Sequence, residues 1–145
     1  MELRELGFGT EGYRAALDLR YRVLREPLGV EWTDEERAWE PKERHFGLMD
    51  GGEMLACVVV RPVADKRVKV RQMAVEPDRQ RAGLGGGLLE GVEALLGSEG
   101  VREVELNARE VAVGFYEKSG YARVGEQFTE VGIPHWRMEK TIPGD

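Results

Sequence analysis

The sequence predicts one mixed α/β domain, and three observations carry that prediction. Short apolar runs of strand length alternate with longer segments whose apolar residues recur every three or four positions. A strong turn signal, Asp50-Gly51-Gly52-Glu53, joins two of the strand-like runs as a hairpin. Four glycines, Gly83 and Gly85 to Gly87, crowd the junction between an apolar strand and an amphipathic helix. The 145 residues are of ordinary size for one domain. No internal repeat or long linker divides them.

Residues 2–8 alternate briefly through Leu3, Leu6 and Phe8, the pattern of an edge strand. Over residues 12–25, Tyr13, Ala16, Leu17, Tyr21 and Leu24 trace one face of a helix, closed by Pro27 just beyond. Residues 33–39 read as a second, short helix, with Thr33 and Glu36 at capping-box spacing and Pro41 ending it. Strands at 45–49 and 54–60 flank the hairpin turn, residues 62–66 make the next turn, and a further strand covers 68–75. The helix over 84–96 places Leu84, Leu88, Leu89, Val92, Leu95 and Leu96 at the spacing of a helix packed on a sheet.

A strand follows at 101–106. Asn107-Ala108-Arg109-Glu110 resembles a capping box opening a helix that runs to Lys118, with Gly120 as terminator. Strands at 121–128 and 134–142 complete the order β-α-α-β-β-β-α-β-α-β-β.

A net charge of −6 argues against nonspecific nucleic-acid binding and favours a cationic partner. No apolar run approaches a membrane span, and the start MELRELGF lacks a secretory pattern. The expectation is therefore a cytoplasmic protein with neither a nucleic-acid nor a membrane partner. Cys57, the single cysteine, lies inside LACVVV and reads as a buried structural thiol. Two separated histidines and one cysteine offer no ligand cluster, so no metal is expected.

Glycines at a strand–helix junction sacrifice backbone entropy and packing, which implies a close approach to the main chain. A helix N-terminus leaves N–H groups unpaired and carries partial positive charge, so it suits a phosphate. Arg79 and Arg81 just upstream add charge. A Walker loop fits poorly because Leu88-Leu89 follows Gly87, where lysine and a hydroxyl residue belong. The dinucleotide fingerprint fits poorly too, since Leu88 stands where its third glycine would be. A plain tight turn survives these exclusions, although one glycine would satisfy it.

The run Gln80-Arg81-Ala82-Gly83-Leu84-Gly85, following Met73-Ala74-Val75-Glu76-Pro77, resembles the Gln/Arg-x-x-Gly-x-Gly/Ala loop of the GNAT superfamily of acyl-CoA N-acyltransferases. Asn107-Ala108 and Gly114-Phe115-Tyr116-Glu117-Lys118-Ser119-Gly120-Tyr121 are similar to that family's last strand–helix–strand unit. Glu130-Val131-Gly132-Ile133-Pro134-His135 is similar to one group of small bacterial members whose acceptors are mostly undefined. The resemblance covers nearly the full chain. It implies a GNAT fold: a central mixed, largely antiparallel sheet of about seven strands with four helices, splayed in a V between the fourth and fifth strands.

It also implies acetyl-CoA as co-substrate. The pyrophosphate would take main-chain N–H groups from Arg81, Ala82, Gly83, Leu84, Gly85 and Gly86. The pantetheine arm would pair with Met73 and Val75, and Asn107 would contact the cofactor from the end of the neighbouring strand. A helix cap is the role the residues alone give Asn107, and it is compatible with that contact.

Amide formation from a thioester needs a neutral amine, although a lysine-like amine is mostly protonated near neutral pH. It needs a donor for the developing oxyanion, which a backbone N–H near Ala74 or Val75 would supply. The leaving thiolate gains from a proton. The resemblance makes Tyr116 that acid; periodicity alone makes it a packed aromatic beside Phe115, Val111 and Ala112.

Where some members carry a strand glutamate as base, the aligned position here holds Lys69. His135 and Glu130 are the substitutes, because the last two strands border the acceptor pocket in the family and a histidine titrates near neutrality. A hydrogen-bonded structural histidine and a water chain are the rival readings, and His45 reads as structural. Glu26, Glu31, Trp32 and Trp39 offer either an acidic, aromatic wall for a cation or a solvated segment with two core tryptophans.

The expected activity is direct transfer of an acetyl group from acetyl-CoA to a primary amine in a ternary complex, without a Cys57 intermediate. A longer acyl chain on the same fold is the enzymatic rival. A non-catalytic acyl-CoA-binding sensor is the alternative from another class, and a simple nucleotide-binding domain is a third. A small-molecule or peptide amine is the expected acceptor, its identity open, and a homodimer is among the expected assemblies.

Overall fold

A computed structural model describes residues 1–144, without the side chains of Gln80, Arg81 and Ala82. Seven strands are present: β1 (Glu2–Leu6), β2 (Arg44–Asp50), β3 (Glu53–Ala64), β4 (Arg67–Val75), β5 (Glu103–Arg109), β6 (Ala122–Glu130) and β7 (Ile133–Thr141). Their order in the sheet is β1-β2-β3-β4-β5-β7-β6. The β1–β2, β2–β3, β5–β7 and β6–β7 pairs are antiparallel, whereas β4 and β5 run parallel. Four α-helices accompany them: α1 (Glu11–Arg20), α2 (Asp34–Trp39), α3 (Leu84–Ser98) and α4 (Val113–Lys118). A parallel pair needs a crossover connection, which α3 supplies between β4 and β5. This is the mixed sheet and element order expected from the sequence. No helix among the described residues is long and apolar enough to cross a membrane.

The chain divides into two compact units. The first comprises Met1–Arg61 and Arg71–Val92. Residues 54–60 of β3 are buried without interruption, as a strand covered on both faces requires. Leu6, Tyr13, Ala16, Leu19, Met49, Met54, Cys57 and Ala74 form one apolar cluster of this unit. The hairpin turn has positive φ at both Gly51 (57°) and Gly52 (91°), which explains why two glycines stand there. At α2 the capping box forms as expected: Thr33 Oγ1 accepts from the Glu36 N–H at 3.1 Å, and Glu36 Oε1 accepts from the Thr33 N–H at 2.9 Å.

Three expectations need correction. The helix expected over 12–25 is α-helical only to Arg20, then widens into a π turn over Tyr21–Arg25. Its buried side chains are Tyr13, Ala16, Leu19 and Arg20, with Leu17 only partly covered. The π turn breaks the 3.6-residue period, so one face cannot be extrapolated through it.

The turn expected at 62–66 is confined to Asp65 and Lys66, because β3 continues to Ala64. Pro62 is tolerated there since the β2–β3 register ends at Arg44↔Val60, leaving no ladder bond on that side for proline to remove.

The second unit comprises Pro62–Val70 and the described residues from Glu93 onward. Here the third correction falls: Asn107 is not a helix cap. It lies within β5, opposite Arg137, and Arg109 stands opposite His135. The ladder with β7 satisfies this backbone better than a local box would. α4 starts later, from Ala112, without a side-chain cap. Alternation in β5 buries Val104, Leu106 and Ala108, and Gly120 ends the α4 segment at φ 96° as expected.

Candidate active site

The glycine junction opens α3. A 3-10 turn over Pro77–Ala82 leads to Gly83, whose φ of 71° is a left-handed conformation that suits glycine. The side chains of Arg81 and Ala82, both expected at the pyrophosphate, lie outside the described residues. The Gly87 N–H donates to the Gly83 carbonyl at 3.1 Å, in the first turn of α3.

Gly86 and Gly87 have no positive φ, and a Cβ built on either would meet nothing within 4 Å. The protein's own packing therefore requires neither glycine, although each costs about 0.5–1 kcal/mol against alanine inside a helix. Open space at a helix N-terminus is what a phosphate group needs. Arg79, expected to add charge, reaches Glu53 Oε2 at 3.4 Å across an exposed surface.

The strand before this junction carries a feature the sequence did not reveal. Gln72, in the middle of β4, has φ 50°, a conformation that costs a non-glycine residue about 1–3 kcal/mol. The β4–β5 register runs from Arg67↔Glu103 to Val70↔Leu106, and Gln72 lies two residues beyond it. Past the kink, Ala74 is buried while Met73 and Val75 are only partly covered.

The Gln72 side chain meets a buried polar network. Arg20 donates from Nη1 to Gln72 Oε1 at 2.7 Å and grips Glu40 through both terminal nitrogens, at 3.1 and 2.6 Å. Tyr13 donates its hydroxyl to Glu40 at 2.7 Å. Burial pushes the Glu40 carboxyl up, but Arg20 and Tyr13 outweigh it and hold it below the usual carboxylate range. Arg20 was legible in principle: it falls seven residues after Tyr13, on the apolar face of α1. Nothing in the sequence marks Gln72, since glycine is the usual sign of such a kink and none is there.

A second buried carboxylate, Glu43, accepts from Arg61 at 2.8 Å and Arg71 at 2.9 Å, both on Oε2. Of the two readings of the Glu26–Trp39 segment, a wall for a cation finds its aromatic faces covered by the chain's own cations. Arg25 lies 4.6 Å from the Trp32 ring centre and Arg61 4.0 Å from that of Trp39, while Glu31 accepts from Tyr21 at 3.0 Å. Cys57 is buried, and burial pushes its thiol up to about 12, which removes it as a nucleophile near neutral pH. His45 is structural: its Nε2 lies 2.8 Å from the Glu40 carbonyl and its ring packs edge-on against Tyr13.

In the second unit, Tyr116 projects from α4 against the rings of Phe115 and Tyr121, at 5.0 and 5.8 Å. Burial alone pushes its hydroxyl up to about 12. Among the described residues it finds no hydrogen-bond partner. Tyr121 beside it donates to Glu93 at 2.7 Å, and Lys140 reaches the same carboxylate at 2.6 Å.

The structure brings His135 and Glu130 together. The His135 Nδ1 lies 2.8 Å from the Ile133 carbonyl, which can only accept, so Nδ1 carries the hydrogen. In the neutral ring Nε2 is then the basic nitrogen, and Glu130 Oε2 stands 3.5 Å from it. Phe128 packs on the imidazole at 5.9 Å. Asn107 lies half-buried on β5, and Lys69 stands opposite Glu105 in the parallel ladder.

A mixed sheet whose parallel pair is joined through a helix opening on glycines is the architecture expected of the GNAT acetyltransferase fold. The acetyltransferase (GNAT) domain model matches residues 31–142, and the chain belongs to that family. Over 131 residues it is 29% identical to a Bacillus subtilis (strain 168) protein named uncharacterized N-acetyltransferase YjcF, covering 90% of this chain and 93% of the relative. Among solved structures, it superposes on an acyl-CoA N-acyltransferase from Pseudomonas aeruginosa with a TM-score of 0.81, at 20% identity over 96% of this chain and 97% of the other. An aminoglycoside 6'-N-acetyltransferase complexed with coenzyme A gives a TM-score of 0.80 at 18% identity, covering 100% and 99%.

Proposed function

We propose that this protein transfers an acetyl group from acetyl-CoA to a primary amine, the amine attacking directly while both substrates are bound. Family membership supports the reaction type. The observation that carries the choice of co-substrate is the start of α3, where two glycines leave open space at a helix N-terminus. Bound acetyl-CoA supplies an acetyl group already activated as a thioester.

The main chain from Arg81 to Gly86 holds the pyrophosphate, Met73 and Val75 pair with the pantetheine arm, and Asn107 gives a further contact. A main-chain N–H near Ala74 or Val75 stabilises the oxyanion that develops on the carbonyl. The C–N bond forms as the C–S bond breaks. Tyr116 gives its proton to the leaving sulfur, which its raised pKa keeps available at neutral pH. His135 Nε2 takes the proton shed by the amine, with Glu130 beside the resulting imidazolium. The acceptor is a small-molecule or peptide amine in the cytoplasm, and the net charge of −6 favours a cationic one. Neither nucleic acid nor membrane takes part, and a second copy of the chain is the proposed assembly partner.

Gly86→Ala tests the co-substrate. Alanine raises helix propensity and meets no protein atom, so the melting temperature should hold or rise. Calorimetric affinity for CoA should fall about ten-fold, the methyl group standing where the pyrophosphate must lie. Unchanged CoA affinity, or tighter binding of ATP than of CoA by the unaltered chain, would contradict the assignment.

A further inference from the structure

Most buried polar groups in this protein are explained by their partners, but the Gln72 conformation is not explained by its strand. A β-strand residue with φ 50° and a side chain beyond Cβ would relax to an extended conformation unless something outside the strand held it. Two side-chain contacts reach it from outside the strand. Gln72 Oε1 accepts from Arg20 Nη1 at 2.7 Å, and Gln72 Nε2 donates to Glu36 Oε2 at 3.5 Å. Arg20 has almost no freedom of its own: its side chain is 1% exposed, and both terminal nitrogens are engaged by Glu40. Glu36 is fixed as well, as the capping-box residue of α2 and the partner of Arg25 at 2.9 Å. Two immobile groups from two different helices thus grip one strained glutamine.

We propose that the Arg20–Gln72 hydrogen bond is a positioning device that holds β4 in its left-handed kink and so sets the main chain of residues 73–75. Gln72 and Arg20 are positioning residues, not catalytic ones, and their role rests on the reading that residues 73–75 receive the acyl-CoA arm. A buried guanidinium with its carboxylate adds little to stability compared with apolar packing, and in some proteins such polar groups specify one conformation. Here the conformation specified is a kink one residue before the segment assigned to the thioester. The contact with Glu36 adds a second consequence: movement of α2 is felt at the same point of β4.

Gln72→Gly separates positioning from stability, because glycine accepts a positive φ without strain yet has nothing for Arg20 to hold. Amide hydrogen exchange on the full chain should accelerate at residues 73–75 by about ten-fold, since the kink then opens readily. The melting temperature should stay within a few degrees of the unaltered protein. With acetyl-CoA and an accepted amine, kcat should fall about ten-fold while the KM for acetyl-CoA changes less than three-fold, the loss being one of alignment. Gln72→Asn, which keeps the amide and tolerates the left-handed region, should recover part of the kcat lost in Gln72→Gly.

Unchanged exchange at residues 73–75 in Gln72→Gly would overturn the positioning role, as would faster exchange with unaltered kcat. If the unaltered protein neither binds CoA nor releases thiol, the proposed function falls instead, and the exchange measurement alone decides whether the hydrogen bond holds the kink.

Discussion

Three of the four tyrosines in this protein give their hydroxyl to a glutamate, and one does not. Tyr13 bonds Glu40, Tyr21 bonds Glu31 and Tyr121 bonds Glu93, at 2.7, 3.0 and 2.7 Å. Tyr116, one turn from Tyr121 and in edge contact with its ring, has no such partner among the described residues. Tyr13 on α1 and Tyr116 on α4 therefore present the same side chain differently. Around α1, the polar tip is locked into a buried network with Glu40, Arg20 and Gln72. On α4, Tyr116 is half-buried and its hydroxyl has no hydrogen-bond partner among the described residues. A hydroxyl bonded to a carboxylate contributes to stability, whereas an uncommitted one contributes nothing and is available for chemistry.

That contrast is testable by the same substitution at two sites. Tyr116→Phe should lower kcat by about 100-fold, the usual scale for removing a general acid, while CoA affinity stays within about two-fold. Its stability in denaturant titration should be unchanged or slightly higher, because no hydrogen bond is lost. Tyr121→Phe should do the reverse, costing about 1.5–3 kcal/mol of stability through the lost bond to a charged group, with kcat close to the unaltered value. Equal stability losses in the two variants would erase the distinction.

Alkaline titration gives a smaller effect with a definite sign. The pKa values of Tyr116 and Cys57 are both raised in the folded state, to about 12, from 10.0 and 9.0. A raised pKa contributes stability that is fully present below the unfolded value and is lost as pH rises through the folded one. Unfolding free energy should therefore begin to decline above pH 9 and continue downward toward 12, and Cys57→Ala should flatten the start of that decline. In acid the sign reverses: Glu40 and Glu36 lie below 4.5, so their contribution is present above that value and is lost as pH falls through their folded values. Because Tyr116 keeps its proton to about 12, turnover should show no loss from its ionisation between pH 7 and 10.

What the sequence disclosed and what it hid divide along a physical line. The hairpin glycines, the Thr33–Glu36 box, the apolar face of α3 and the glycine junction are local patterns, each legible within a few residues. Asn107 misled because a capping box and a strand end can share residue types, and the ladder with β7 decided between them. The Arg20–Glu40–Gln72 network was hidden because its members are 20 and 52 residues apart and only the fold assembles them. For His135 and Glu130 the sequence places both near the turn between the last two strands but not their contact, which the β6–β7 pairing, with Glu130 opposite Ile133, brings to 3.5 Å.

The most direct test of the proposed activity is thiol release from acetyl-CoA across a panel of small-molecule and peptide amines, measured against the rate with protein and acetyl-CoA alone. The account predicts release that depends on a particular amine and drops about 100-fold in Tyr116→Phe. Thiol release no faster with any amine than without, from a protein that binds no CoA in calorimetry, would contradict it.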